Sequence, residues 1–359
     1  MAEFLYFILF AVGLLMVVKG SDWFVDSAVW AAEVFRIPSI IIGATIVSIC
    51  TTLPETIVSS SAALKGETAM AVGNALGSIG ANTGVILAIL LVSTRPQLEN
   101  RKQFLKTSFF LAFLLSALWV VGYFFGEVSR PIGIILLLLF LLYIINNVIS
   151  ARNLMDLDIQ YDIVDDQDVI EHMDLNAHMP EGIAYDETEN DFDVSFQMIS
   201  RKILFFILGT ALVVFGSNLL VDNGILIAEI LHIPTFMVAV IFTSVGTSLP
   251  ELITVITSVR KGVSNLGIGN IIGANILNIL QVIGFSALLL PLPIANEKSM
   301  LLFQLPILFA MVLSVICFGL FNKGRLSKWS GICLLVLYFI FLSVNILRGT
   351  TPILGPLLF

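Results

Sequence analysis

Ten runs of about 20 apolar residues constrain this chain more than any other feature; they lie near 4–19, 37–63, 69–93, 105–126, 131–150, 202–221, 233–259, 265–291, 301–321 and 328–347. Inside a bilayer no water is on hand for a free N–H or C=O, so spans of this kind have to be helices. Composition points the same way. Charged residues make up 12% of the chain and hydrophobic ones 58%, where a soluble domain carries roughly 25% charged. Mean hydropathy is +1.00. The expected fold class is therefore all-α: a polytopic membrane protein with ten transmembrane helices. The first run follows "MAEF", without a basic leader or a small-residue cleavage site, and reads as a retained helix. Cys50, Cys317 and Cys333 fall inside spans with no CxxC spacing, which indicates neither a disulfide frame nor a zinc site.

The net charge of −8 conceals an uneven distribution. Residues 153–200 hold 14 Asp and Glu and no Lys or Arg, which leaves 12 acids against 18 bases elsewhere. With the N-terminus outside, the odd-numbered loops carry 14 of those bases, and Lys65, Arg130, Lys298 and Arg348 are the other 4. The positive-inside bias then places both termini outside and the acidic segment in the cytoplasm. "MDLDIQYDIVDDQDVIEHMD", from Met155, starts with an apolar–acidic alternation that fits a short strand or a Ca²⁺-sensing patch. It lacks the glycine and the final glutamate of an EF-hand, and composition favours a solvated acidic tether. His172, His178 and His232 have no metal-ligand company in sequence.

Sliding the chain against itself by 196 residues aligns it without a gap. "GSDWFVDSAVWAAEVFRIP" from Gly20 lies over "GSNLLVDNGILIAEILHIP" from Gly216, and "SICTTLPETI" from Ser48 over "SVGTSLPELI" from Ser244. "GNALGSIGAN" from Gly73 lies over "GNIIGANILN" from Gly269. The expected domains are a half at 1–150 with a repeat at about 37–93, an acidic loop at 151–200, and a half at 201–359 with a repeat at about 233–291. Each half holds five spans, an odd number, so the second enters the membrane from the opposite side. Two inverted five-helix repeats are the organisation of secondary transporters, whose sites form near the midplane from broken helices.

Pro54-Glu55 and Pro250-Glu251 sit at the centre of spans, where proline removes a helix hydrogen bond and an ionised carboxylate is costly. Proline frees the carbonyls of Cys50 and Gly246, and unwound backbone at membrane depth is tolerated where it lines a polar cavity. Around each break stand hydroxyls: Ser48, Thr51 and Thr52 in the first half, Ser244, Thr247 and Ser248 in the second. Thr51 and Glu55 are four apart, as are Thr247 and Glu251, so each pair shares a helix face. The next span supplies a polar stripe at spacing four, Asn74, Ser78 and Asn82, mirrored by Asn270, Ala274 and Asn278. Asn82 and Asn278 each follow their glutamate by 27 residues. Oxygen donors of this kind suit Ca²⁺ or Na⁺.

These motifs resemble those of the cation/calcium exchangers, most closely the prokaryotic Na⁺/Ca²⁺ exchangers, whose two repeats carry G-T-S-L-P-E and then G-N-x-x-G-S-N-x-x-N/D. "GTSLPE" at 246–251 and "GNIIGANILN" at 269–278 fit closely; "CTTLPE" and "GNALGSIGAN" fit more loosely. The resemblance covers nearly the whole chain outside 151–200. It implies alternating access and exchange of Na⁺ for Ca²⁺, with Glu55 and Glu251 as the paired glutamates and Ser48, Thr51, Thr52, Ser78, Ser244, Thr247 and Ser248 among the ligands. Four positions depart from the pattern: Cys50 replaces a glycine, Ile79 an asparagine and Ala274 a serine, and Asn278 stands where the potassium-dependent branch has aspartate.

The function expected is a K⁺-independent Na⁺/Ca²⁺ antiporter, not an enzyme. Its partners are the transported ions and the lipid bilayer; no cofactor, nucleic acid or obligate protein partner is indicated. A Ca²⁺/H⁺ or Na⁺/Mn²⁺ antiporter is the alternative. A cation channel would want a continuous pore ringed by like residues, and a transport-dead calcium receptor an effector domain larger than the acidic loop.

Overall fold

The computed structural model describes residues 2–34, 48–98, 100–165, 196–260, 264–294, 300–321 and 324–349. In chain order its helices are α1 (Ala2–Val34), α2 (Ser48–Thr51), α3 (Leu53–Leu64), α4 (Thr68–Ala81), α5 (Leu87–Thr94), α6 (Arg101–Phe125) and α7 (Arg130–Asp165). There follow α8 (Phe196–Leu231), α9 (Thr235–Val238), α10 (Ser244–Thr247), α11 (Leu249–Arg260), α12 (Ser264–Leu277), α13 (Gly284–Leu289), α14 (Leu305–Phe321) and α15 (Lys328–Gly349). Nine helices among the described residues are long and apolar enough to cross a membrane. The expected span at 37–63 is described only from residue 48 onward. Strands β1 (Glu127–Val128) and β2 (Leu292–Pro293) form one short antiparallel pair that joins the end of α6 to the segment after α13.

The 196-residue offset recurs in the backbone. Adding it to the bounds of α2, α3 and α4 gives those of α10, α11 and α12. A π-helical turn then begins at Asn82 in one half and at Asn278 in the other. Each of these asparagines ends a helix face and starts a wider turn, which re-aims the side chains that follow.

Burial sorts the helices into a centre and a rim. The window over Thr68–Thr94 is 83% buried and that over Gly267–Leu289 is 89%, against 11% for Arg130–Ser150. Phe4, Leu138, Ile149 and Phe215 lie on exposed apolar faces of α1, α7 and α8, the surface that lipid covers. The two central spans are also those with the polar stripes.

Helices α1 and α8 pack along each other, and glycine sets their separation. Gly13 and Gly20 are two turns apart on one face, as are their mates Gly209 and Gly216. A Cβ on Gly13 would lie 2.8 Å from the Gly216 carbonyl oxygen, and one on Gly20 would lie 2.7 Å from that of Gly209. Adding 196 to either contact generates the other, so this crossing lies on the pseudo-twofold axis. Small residues let helix backbones approach where lipid supplies no hydrophobic drive.

The structure adds three details that the sequence left open. The breaks are one residue wide: α2 ends at Thr51 and α3 begins at Leu53, with Thr52 at φ −87° and ψ −1°. In the second half Ser248 alone separates α10 from α11, at φ −84° and ψ 8°. Proline at the second position of a new helix gives up an N–H that has no intrahelical partner there, so the helix restarts at once. The acidic segment does not open with a strand, because α7 continues to Asp165. Leu154, Met155 and Leu157 are good helix formers, and extending an existing helix avoids the cost of nucleating one. Helix α1 likewise runs to Val34, well past the expected 4–19. His172 and His178 lie outside the described residues.

A methyl group at the α1–α8 crossing meets backbone that cannot rotate away. Gly20→Ala and Gly216→Ala should each destabilise the protein by about 1–3 kcal/mol, as overpacking does. The check is the thermal midpoint of the detergent-solubilised protein; a midpoint as high as the wild type's would show that the helices can part freely.

Candidate functional site

Both glutamates sit in the first turn of a helix that restarts after a break, Glu55 in α3 and Glu251 in α11. Unpaired N–H groups and the helix dipole favour negative charge at that position. Both side chains are 1% exposed. Each receives hydroxyls from the opposite half. Ser248 Oγ donates to Glu55 Oε1 at 3.2 Å, Thr247 also reaches Glu55, and Thr51 bonds Glu251. Thr51–Glu251 and Thr247–Glu55 are mates under the 196-residue offset. The two carboxylates are close enough to repel each other, and the Oε2 of each has no protein partner among the described residues.

The stripe on α4 faces this pair, as Asn74 shows. Its Nδ2 donates to the Glu55 carbonyl at 3.3 Å and to Ser59 Oγ at 3.0 Å. Its Oδ1 accepts from Thr247 Oγ1 at 3.4 Å. Asn74 thus ties the backbone beside Glu55 to the break of the other half, a positioning role. Ser78 and Asn82 continue the same face; both are fully buried, and the Ser78 hydroxyl and both polar atoms of the Asn82 amide lack partners among the described residues. Asn278 is 1% exposed and its Oδ1 has no partner among the described residues, while Ala274 places a methyl where the first half has the Ser78 hydroxyl. Helix α3 packs against the π turn at Asn278–Ile283, and α11 against the π turn at Asn82–Ile86. Each asparagine therefore lies beside the glutamate helix of the other half.

Thr51, Thr52, Thr247 and Ser248 are all buried around the breaks. Ser244 is buried too, but its Oγ spends its proton on the Val240 carbonyl at 2.6 Å and has only lone pairs left to offer. The side chain of Ser48 lies outside the described residues. Among the described residues no three His, Cys, Asp or Glu side chains cluster, so formal charge here comes from the glutamate pair alone. A buried polar atom without a partner costs about 1–3 kcal/mol. A hard cation among these oxygens satisfies several at once and offsets the repulsion of the carboxylates.

Four polar residues near the site were not singled out from sequence. Asn275 donates to Thr83 Oγ1 at 2.8 Å, and Gln281 donates to Thr56 Oγ1 at 3.0 Å. The available signal was a polar residue inside an apolar span. Their mates under the offset are apolar (Ile79, Ile279, Val85 and Leu252), so comparing the repeats passes over them.

Known proteins resemble the chain over most of its length. A family model described as sodium/calcium exchanger protein matches residues 5–149 and 201–347. The chain is 33% identical to the inner membrane protein YrbG of Escherichia coli K12, over 86% of this chain and 87% of that protein. It is 27% identical to the sodium/calcium exchanger MaX1 of Methanosarcina acetivorans, over 94% of this chain and 97% of that one. Among solved structures, one of the sodium-calcium exchanger NCX_Mj superposes with a TM-score of 0.60 at 26% identity, covering 94% of this chain and 98% of that one.

If both carboxylates serve one ion, neither half suffices. Glu55→Gln and Glu251→Gln should each abolish Ca²⁺ exchange in proteoliposomes, because one carboxylate cannot balance a divalent charge in low dielectric. Near-normal flux in either single variant would separate the two residues into independent sites.

Proposed function

Since the chain belongs to the sodium/calcium exchanger family, and is a membrane transporter that exchanges cations for calcium, we propose that it moves Ca²⁺ against Na⁺ by alternating access, without K⁺. The observation that carries this reading is the mirrored pair Glu55 and Glu251, each bonded by hydroxyls of the opposite half. Two carboxylates neutralise one Ca²⁺. Several Na⁺ ions compete for the same carboxylates and for Thr51, Thr52, Ser78, Thr247 and Ser248, with Ser48 and Ser244 completing the ligand set that the family motif suggests. Removing every ion leaves two like charges repelling at the midplane, which discourages uncoupled crossing.

Asn82 and Asn278 add oxygen without formal charge, so the site carries −2 and needs no second cation alongside Ca²⁺. This supports K⁺ independence. The charge bias of the loops supports a plasma-membrane protein with both termini outside and 151–200 in the cytoplasm. Residues 153–200 hold no lysine or arginine and no apolar span, and a regulatory tether is the proposed role of the segment.

The test is ⁴⁵Ca²⁺ uptake into proteoliposomes against an imposed Na⁺ gradient, repeated against a pH gradient and with choline replacing K⁺ on both sides. Uptake should follow the Na⁺ gradient and persist in choline. Uptake driven only by the pH gradient would make this a Ca²⁺/H⁺ antiporter, and a wild type that stops without K⁺ would refute the independence. Asn278→Asp adds a third carboxylate and should make flux sensitive to K⁺; an active variant indifferent to both K⁺ and pH would remove Asn278 from the explanation.

A further inference from the structure

The Thr56–Gln281 contact fixes the orientation of a buried amide. Thr56 Oγ1 has one proton and donates it to the Thr52 carbonyl at 2.9 Å. Toward Gln281 it can therefore only accept, and Gln281 Nε2 donates to it at 3.0 Å. A flipped amide would set two acceptors against each other unless the Thr56 hydroxyl gave up its bond to the Thr52 carbonyl. Gln281 Oε1 is thus held on the far side, and it has no partner among the described residues although the residue is 2% exposed. The Asn275–Thr83 pair permits no such argument, since nothing fixes the direction of the Thr83 proton.

The oxygen belongs to the pair of packed elements that carries the charge, since α3 packs against the π turn Asn278–Ile283. Thr56 follows Glu55 directly, Thr52 is the residue of the break itself, and Gln281 lies in the π turn that opens with Asn278. Glu55 Oε2 is likewise buried and unpartnered. Under the 196-residue offset the mates of Thr56 and Gln281 are Leu252 and Val85, so the arrangement exists on one side of the pseudo-twofold axis only. A neutral carbonyl-type oxygen beside one carboxylate balances a single positive charge better than two.

We propose that Gln281 Oε1, aimed by Thr56, is a ligand in a monovalent-cation subsite flanking Glu55 that takes Na⁺ and is present once in the molecule. It rests on the Na⁺-coupled reading above and adds a residue and an asymmetry to it.

The experiment follows the thermal midpoint of the purified full-length protein in detergent. NaCl is titrated without Ca²⁺, with choline chloride holding ionic strength, and CaCl₂ is titrated without Na⁺. Gln281→Met keeps the volume and removes the oxygen; it should raise the half-effective Na⁺ concentration roughly tenfold and leave that for Ca²⁺ within about twofold. Thr56→Val releases the amide and should shift the Na⁺ value in the same direction by less, while Thr56→Ser keeps the lock and the wild-type value. A structural role alone, or a bound water, would lower the ion-free midpoint and leave both half-effective concentrations in place, which overturns the proposal. An equal shift for both ions overturns it as well. A wild type that answers to Ca²⁺ but not to Na⁺ removes the Na⁺-coupled reading along with it, whereas a Na⁺-responsive wild type with unresponsive variants removes the subsite alone.

Discussion

Two carboxylates held together in a medium of low dielectric are unfavourable unless something positive or proton-donating surrounds them, and much of the architecture answers that constraint. The restarted helices α3 and α11 place Glu55 and Glu251 at N-termini, where the dipole favours anions. Hydroxyls reach them across the two halves: Ser248 donates to Glu55, Thr247 stands beside it, and Thr51 bonds Glu251. Neither half completes its own site. A glutamate of one half is matched by the break of the other, so bringing the repeats together and building the site are one event.

The breaks also explain why the stripes lie where they do. A one-residue interruption keeps α2 and α3, or α10 and α11, nearly continuous, so that a single packed helix pair still fills the membrane while presenting its irregular backbone inward. The π turns at Asn82 and Asn278 give the second wall the same property. These two π turns thus lie in the two spans with the most burial, away from lipid.

Symmetry holds in the backbone around the breaks and is incomplete in chemistry. The glycine crossing of α1 and α8 and the threonine–glutamate pairs obey the twofold. Thr56–Gln281 and Thr83–Asn275 do not, because their mates are Leu252, Val85, Ile279 and Ile79. In an inverted repeat the two access states exchange the surroundings of the halves. Under the proposed alternating access, full symmetry would leave those states equal in energy, and a polar pair present on one side only would make them unequal.

The sequence by itself determined the solvent, the helical class, the repeat and the paired Pro-Glu motifs. Those properties act along the chain: a run of apolar residues, a proline without an N–H and a 27-residue interval need no knowledge of neighbours. It also made the polar stripes legible, since Asn74, Ser78 and Asn82 share a face by helical period alone. Tertiary structure decided which oxygens meet which carboxylate. Ser248 and Glu55 are 193 residues apart and Gln281 and Thr56 are 225 apart, so their contacts depend on how two halves register against each other. Comparing the repeats could not reveal Gln281, whose mate is a valine. Tertiary structure likewise made Asn74 a brace between the halves and narrowed each break to one residue, because a helix restarts wherever packing on both sides holds its next turn.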